Sequence, residues 1–188
     1  MAFIAPSRRA LLVAITLAST VACDNPLSLP QASLSNVVDT VTLYALRGTL
    51  VSQPSGYDLA TKQAVRTDLT GFDFAFDIAG GLSSIVPAGA LHLDKSPGIL
   101  PLTQSFDSVT VAPDVGYLDS LPVGIAPGSV FVVRSRPSSS ICVLTSILSV
   151  YGKFHVLAID SVQRTLKLEA LVNQNCGYRS LQPGTPTA

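Results

Sequence analysis

The chain has 188 residues, with twelve Lys and Arg balanced by twelve Asp and Glu. Only 13% of residues are charged, about half the usual share, and Trp is absent. The length suits one domain with a real core, and the sparse charge leaves no basic footprint for nucleic acid.

The first element is the leader "MAFIAPSRRALLVAITLASTVAC". Arg8 and Arg9 precede an uncharged apolar run over residues 10–22, followed by Cys23. Those thirteen residues fall short of the roughly 20 needed to cross a bilayer as a helix, so residues 1–22 read as a cleaved export signal. "SRRALL" is similar to a twin-arginine export signal, without deciding the export route. Ala22 and Cys23 resemble the lipobox of bacterial lipoproteins, in which small residues precede a cysteine that receives a diacylglyceryl group; Thr20 departs from the usual aliphatic residue. The resemblance covers about 20 residues. It implies lipidation at Cys23 and an anchor holding an exported protein on the periplasmic face of a bacterial membrane. The alternative is a plain secretory signal cut near Ala22, which leaves Cys23 a thiol.

Cysteine parity bears on that choice. Cys23, Cys142 and Cys176 are an odd set, and an exported protein with an odd count leaves one thiol to explain. Lipidation of Cys23 removes the oddity and leaves Cys142 and Cys176 to pair in an oxidising compartment. With no C-x-x-C spacing, such a bond is structural.

After Cys23, "DNPLSLPQASLSN" lacks periodicity, so residues 23–36 are expected to be a lipidated cysteine and a flexible tether. Residues 37–180 then read as a single β-rich domain. "VVDTVTLYAL" and "GSVFVVRSR" are β-branched runs. In "GFDFAFDIAGG", Phe72, Phe74, Phe76 and Ile78 alternate with Asp73, Ala75, Asp77 and Ala79, which predicts one apolar and one polar face. "KFHVLAIDSVQRTLKLEALV" predicts a hairpin turning near "DSVQ", with Phe154, Val156 and Ala158 on one face and Lys153, His155 and Leu157 on the other. No long segment has a 3.6-residue period with caps, so helix is expected to be minor. The fold class is mainly β, an antiparallel sandwich or partly open barrel. "SLQPGTPTA" marks residues 181–188 as a disordered tail.

The charges divide unevenly: residues 24–122 hold ten acids and four bases, and residues 123–188 two acids and six bases. Interleaved strands would mix these signs; a bipolar surface would orient docking. Arg134 and Arg136, two apart on one strand, are candidate docking charges for an anionic partner, together with Arg164 and Lys167; Asp73 and Asp77 are secondary candidates. The other reading of the arginine pair is edge charge that discourages strand addition.

Catalytic chemistry finds little support. His92 and Asp94 offer two ligands where a metal needs three or four, so neither metal nor cofactor is expected. His155 reads as a solvated strand residue. Asp73 and Asp77 lie roughly 13 Å apart on one strand, too far for a glycosidase pair unless Asp107 or Asp114 joins one of them. No G-x-S-x-G, H-E-x-x-H or phosphate loop occurs. Tyr178 and Arg179 beside Cys176 read as a local lid. The expected function is a non-enzymatic, lipid-anchored accessory or structural subunit, docking on a respiratory, photosynthetic or export-type membrane protein complex. The alternatives are a small-molecule or glycan binding module and, more remotely, a hydrolase with an unrecognised site.

Overall fold

The computed structural model describes residues 29–69, 71–94, 96–137, Cys142 and 148–187. Ten strands follow in chain order: β1 (Val38–Tyr44), β2 (Gly56–Asp58), β3 (Gln63–Val65), β4 (Phe74–Ala79), β5 (Leu82–Pro87), β6 (Gly98–Leu102), β7 (Val123–Gly124), β8 (Val130–Arg134), β9 (Tyr151–Asp160) and β10 (Thr165–Asn173). Helix among the described residues is confined to two short 3-10 turns, Ala88–Leu91 and Phe106–Ser108. The strands form two five-stranded sheets, antiparallel at every pairing: sheet I in the order β1-β10-β9-β8-β6 and sheet II in the order β3-β2-β4-β5-β7. Two separate sheets facing each other make a β-sandwich, so the barrel alternative is not adopted.

Four strands of sheet II come from the acid-rich first part of the chain, whereas sheet I mixes both parts. The interleaving expected from the sequence therefore holds for one sheet only.

The inner core follows from period-two alternation. Phe74 and Phe76 of β4 meet Phe131 of β8 and Phe154 of β9, all with 1% exposure or less. Phe154 stacks on Phe131 at 5.3 Å and meets Phe74 edge-on at 5.1 Å, and Tyr57 packs against both Phe74 and Phe154. Each such pair contributes about 0.5–1.5 kcal/mol beyond its burial. Gly152 is required by this packing: a Cβ there would lie 2.9 Å from Val172 and 3.0 Å from the Phe154 ring.

The β9–β10 hairpin forms as expected, and Asp160 closes its turn by accepting the N–H groups of Val162 and Gln163 at 2.9 and 2.8 Å. Its register differs in one place. Lys167 pairs with Ala158 but Leu168 pairs with Val156, so Leu157 is a bulge. The bulge reverses the alternation, leaving Ala158 exposed and turning Ile159 toward the core.

A second departure concerns the faces expected to be polar. Asp73 and Asp77 are 0% and 5% exposed: the backbone of Leu59 and Arg136 closes on Asp73, and the Arg47 N–H meets Asp77. Phe72 precedes β4 and packs outward with Ala75 and Ala88 instead of joining the inner phenylalanines. On sheet I, residues 103–112 lie across the outer face, where Phe106, Val109 and Ala112 meet Val130, Val132 and Leu171.

The termini differ from expectation as well. Residues 30–36 are not loose: Asn175 accepts the N–H groups of Ser33 and Leu34 and donates to Leu34 O, while Tyr178 donates to Pro30 O at 3.0 Å. Asn36 and Gly184 exchange backbone hydrogen bonds of 2.9 and 3.0 Å. The tail is likewise part of the fold, with Leu181 fully buried against sheet I and donating to Thr110 O. Pro, Gly and Ser composition suggested coil; the pairing of two such segments satisfies backbone groups that composition cannot register.

Cys142 and Cys176 form a disulfide across 34 residues of sequence. The chain-entropy model gives about 4 kcal/mol for closing a loop of that size.

Candidate functional site

Strand directions define two ends of the sandwich. The start of β1, the end of β10, the start of β9 and the end of β8 share one end with the disulfide and residues 30–36. The β9–β10 turn marks the other, about 30 Å away along ten-residue β9. The four candidate docking residues fall at both ends and do not make one patch: Arg134 pairs across from Tyr151 at the first, while Arg164 and Lys167 flank the far turn.

Their side chains also differ in freedom. Arg136, just beyond β8, reaches across to sheet II, donating to Asp73 Oδ1 at 3.1 Å, Asp58 Oδ1 at 2.9 Å and Gly71 O at 3.2 Å. Asp73 further accepts the N–H groups of Leu59 and Arg136. Burial pushes the Asp73 carboxyl up to about 6 despite the opposing pull of Arg136 and these two N–H groups. Arg136 therefore ties sheet I to sheet II. Arg134 lies over the Tyr117 ring at 5.1 Å. Arg164, at φ 56°, donates to Arg47 O and Ile78 O, both at 2.7 Å, holding the far end together. Lys167 is exposed on the outer side of β10.

The other candidates are also engaged locally. His92 is exposed and ends the first 3-10 turn at φ 60°, while Asp94 accepts from the backbone and hydroxyl of Ser96. Among the described residues no group of three or more His, Cys, Asp or Glu is placed to hold a metal. Asp73 and Asp77 sit in separate ion pairs, with Arg136 and Arg47, and Asp114 pairs with Arg179. His155 is half-buried, its Nδ1 3.1 Å from Oε2 of cross-strand Glu169. Cys23 and the leader lie outside the described residues.

Two features escaped sequence reasoning. Lys153, expected on a polar face, is 3% exposed beneath residues 103–112. Its Nζ donates to Phe106 O at 2.8 Å and Val109 O at 3.0 Å and lies 4.3 Å from the centre of the Phe106 ring. Burial lowers its pKa below the usual lysine range.

The second is a cleft of about 440 Å³ on the outer face of sheet II. Its floor is Asp77 and Ala79 of β4 beside Ser84 and Val86 of β5, with Asp77 and Ser84 direct cross-strand partners. Leu46, Phe72, Leu91 and Leu93 supply apolar walls. A second hollow of about 330 Å³ shares Thr67, Phe72 and Leu93 with the first and extends it toward Arg136. A mostly apolar recess with a few convergent polar groups is the usual form of a small-molecule site. The sequence did hold a signal: "FAFDIA" sets Ala75 and Ala79 beside Asp77, small residues where a solvated strand face would carry longer polar ones. No protein-family model and no curated protein matches the chain. Structurally, it is a disulfide-bonded antiparallel β-sandwich with a cleft on one outer face.

Proposed function

We propose that the chain is a non-enzymatic, lipid-anchored extracytoplasmic protein, an accessory or structural subunit that docks on the periplasmic face of a membrane protein complex. The observation that carries this reading is the fastening of residues 30–36 along the end of the sandwich that also holds the disulfide. With Pro30 fixed, seven residue steps separate Cys23 from the domain, a span of at most about 25 Å. An anchor at Cys23 therefore keeps this end next to the membrane and limits the domain's rotation. A short leash raises effective concentration for a partner within its span. The disulfide fits an exported chain in an oxidising compartment.

The same end presents Leu34, Val37 and Val38, exposed by 47%, 61% and 41%. They are better docking residues than Arg136, whose guanidinium is held by Asp58 and Asp73, or Arg164, at the far end. The buried charges Asp58, Asp73 and Lys153 all face structural partners, which favours an interaction role over catalysis.

Mass analysis of protein from native cells tests the anchor: a diacylglyceryl group on Cys23 is expected, with loss of membrane association in Cys23→Ser. Crosslinking tests the docking face, where Val37→Arg with Val38→Arg is expected to reduce partner capture several-fold while the melting curve stays unchanged. An unmodified Cys23, or capture indifferent to the double substitution, overturns the corresponding half of the proposal.

A further inference from the structure

We propose that the cleft on the outer face of sheet II binds a small apolar amine, with the Asp77 carboxylate receiving its ammonium group. This site requires neither the lipid anchor nor the docking partner.

The two charges in the cleft, Asp77 and Arg47, stand on unequal footing. Asp77 is fixed: it lies within β4, its side chain is 7% exposed, and its Oδ1 accepts the Arg47 N–H at 3.0 Å. The Arg47 side chain is 73% exposed, and its Nε lies 3.4 Å from Asp77 Oδ2. An exposed contact of that length contributes little, about 0–1 kcal/mol. A carboxylate has about four acceptor positions, and these two contacts leave Asp77 with capacity directed at the cleft. An ammonium group entering the recess can take a short, charge-assisted hydrogen bond from the buried carboxylate while Arg47 swings into solvent. An anionic ligand would have to place its charge beside Asp77, where like charges repel.

The surroundings agree on both sign and shape. Sheet II is built largely from the acid-rich part of the chain, and the adjoining hollow has Asp94 on its lining beside Asp68, which is paired with Arg66. The guanidinium there, Arg136, is already held by Asp73 and Asp58. Ala79 and Ser84 on the floor leave the volume open, and Leu46, Phe72 and Leu93 give a hydrocarbon body apolar walls. The expected ligand is therefore a compact monocation with an apolar ring or short chain.

Titration calorimetry of the full-length chain with benzylammonium, and in parallel with benzoate, tests this assignment. Benzylammonium is expected to bind at least tenfold more tightly than benzoate. Asp77→Asn should weaken it tenfold or more, whereas Arg47→Ala should leave it unchanged or tighten it. Ser84→Leu, which fills the floor from the neighbouring strand without removing a charge, should abolish binding with little change in melting temperature. Should Asp77→Asn fail to fold, the opposed effects of Arg47→Ala and Ser84→Leu carry the test. No heat with benzylammonium at millimolar concentration, preference for benzoate with loss in Arg47→Ala, or indifference to Ser84→Leu would each overturn the proposal.

Discussion

The two outer faces of the sandwich treat a buried charge in opposite ways. On sheet I, residues 103–112 close over Lys153, and two carbonyls and an aromatic ring surround its ammonium. On sheet II, Asp77 is almost as buried, yet one exposed arginine is its side-chain partner and a cleft opens above it. Two of the three Lys153 donors hold the covering segment down, and the Phe106 ring lies against the ammonium of this residue, which is 3% exposed. Asp77 keeps acceptor capacity at the bottom of an accessible recess. Burial alone therefore does not separate a structural charge from a functional one; what covers the charge does.

Breaking the disulfide is the strongest perturbation and acts on the end common to both sheets. Cys142→Ser with Cys176→Ser should lower unfolding free energy by about 4 kcal/mol in urea denaturation, without selecting either outer face. Next comes the closed face. Lys153→Met keeps most of the volume but strands the Phe106 and Val109 carbonyls, at a cost of about 3 kcal/mol, and hydrogen exchange should accelerate in residues 103–112 before it does in β4 or β5.

Asp73 extends the contrast to pH. Its folded pKa of about 6 lies above the ordinary value near 3.9, so the folded state holds the proton more tightly. Its contribution is fully present below about pH 4 and is lost as pH rises through about 6, amounting to about 2–3 kcal/mol. Asp73→Asn should remove that part of the slope in denaturation curves recorded from pH 4 to about pH 6.5. The smallest effect belongs to the open face: Arg47→Ala should change stability by less than about 1 kcal/mol, its contact being exposed. A loss comparable with that of Lys153→Met would mean that Arg47 closes the cleft as firmly as residues 103–112 close the other face.

Much of the inner architecture was legible because a strand writes its buried side every second residue. Phe74, Phe76, Phe154 and Val156 announced the core, and cysteine parity announced the disulfide. The outer faces were not legible by the same rule. Alternation labels Asp73, Asp77 and Lys153 as polar positions, but whether water or another segment lies above them depends on loops with no period of their own. The Leu157 bulge was hidden for a related reason: its extra residue appears only when the register with β10 is counted from both ends. Arg134 and Arg164 looked alike in sequence because nothing local records that β9 carries the chain from one end of the sandwich to the other.

The fastening of residues 30–36 has a mechanical consequence for a chain anchored at Cys23. Tension along the leash would first load the Tyr178–Pro30 bond and the Asn175 clamp on Ser33 and Leu34, not the sheets. These contacts can peel in succession while β1 remains paired with β10 over all seven of its residues. Each released residue adds about 3.4 Å of reach, so the segment stores an extension of about 25 Å, comparable with the leash itself. A domain so anchored would be held close at rest and could yield under load without unfolding. In a single-molecule pulling experiment from the N-terminus, this would register as a low-force lengthening that precedes the cooperative rupture of the sandwich and shifts to lower force in Asn175→Ala, which leaves the Tyr178–Pro30 and Asn36–Gly184 bonds in place.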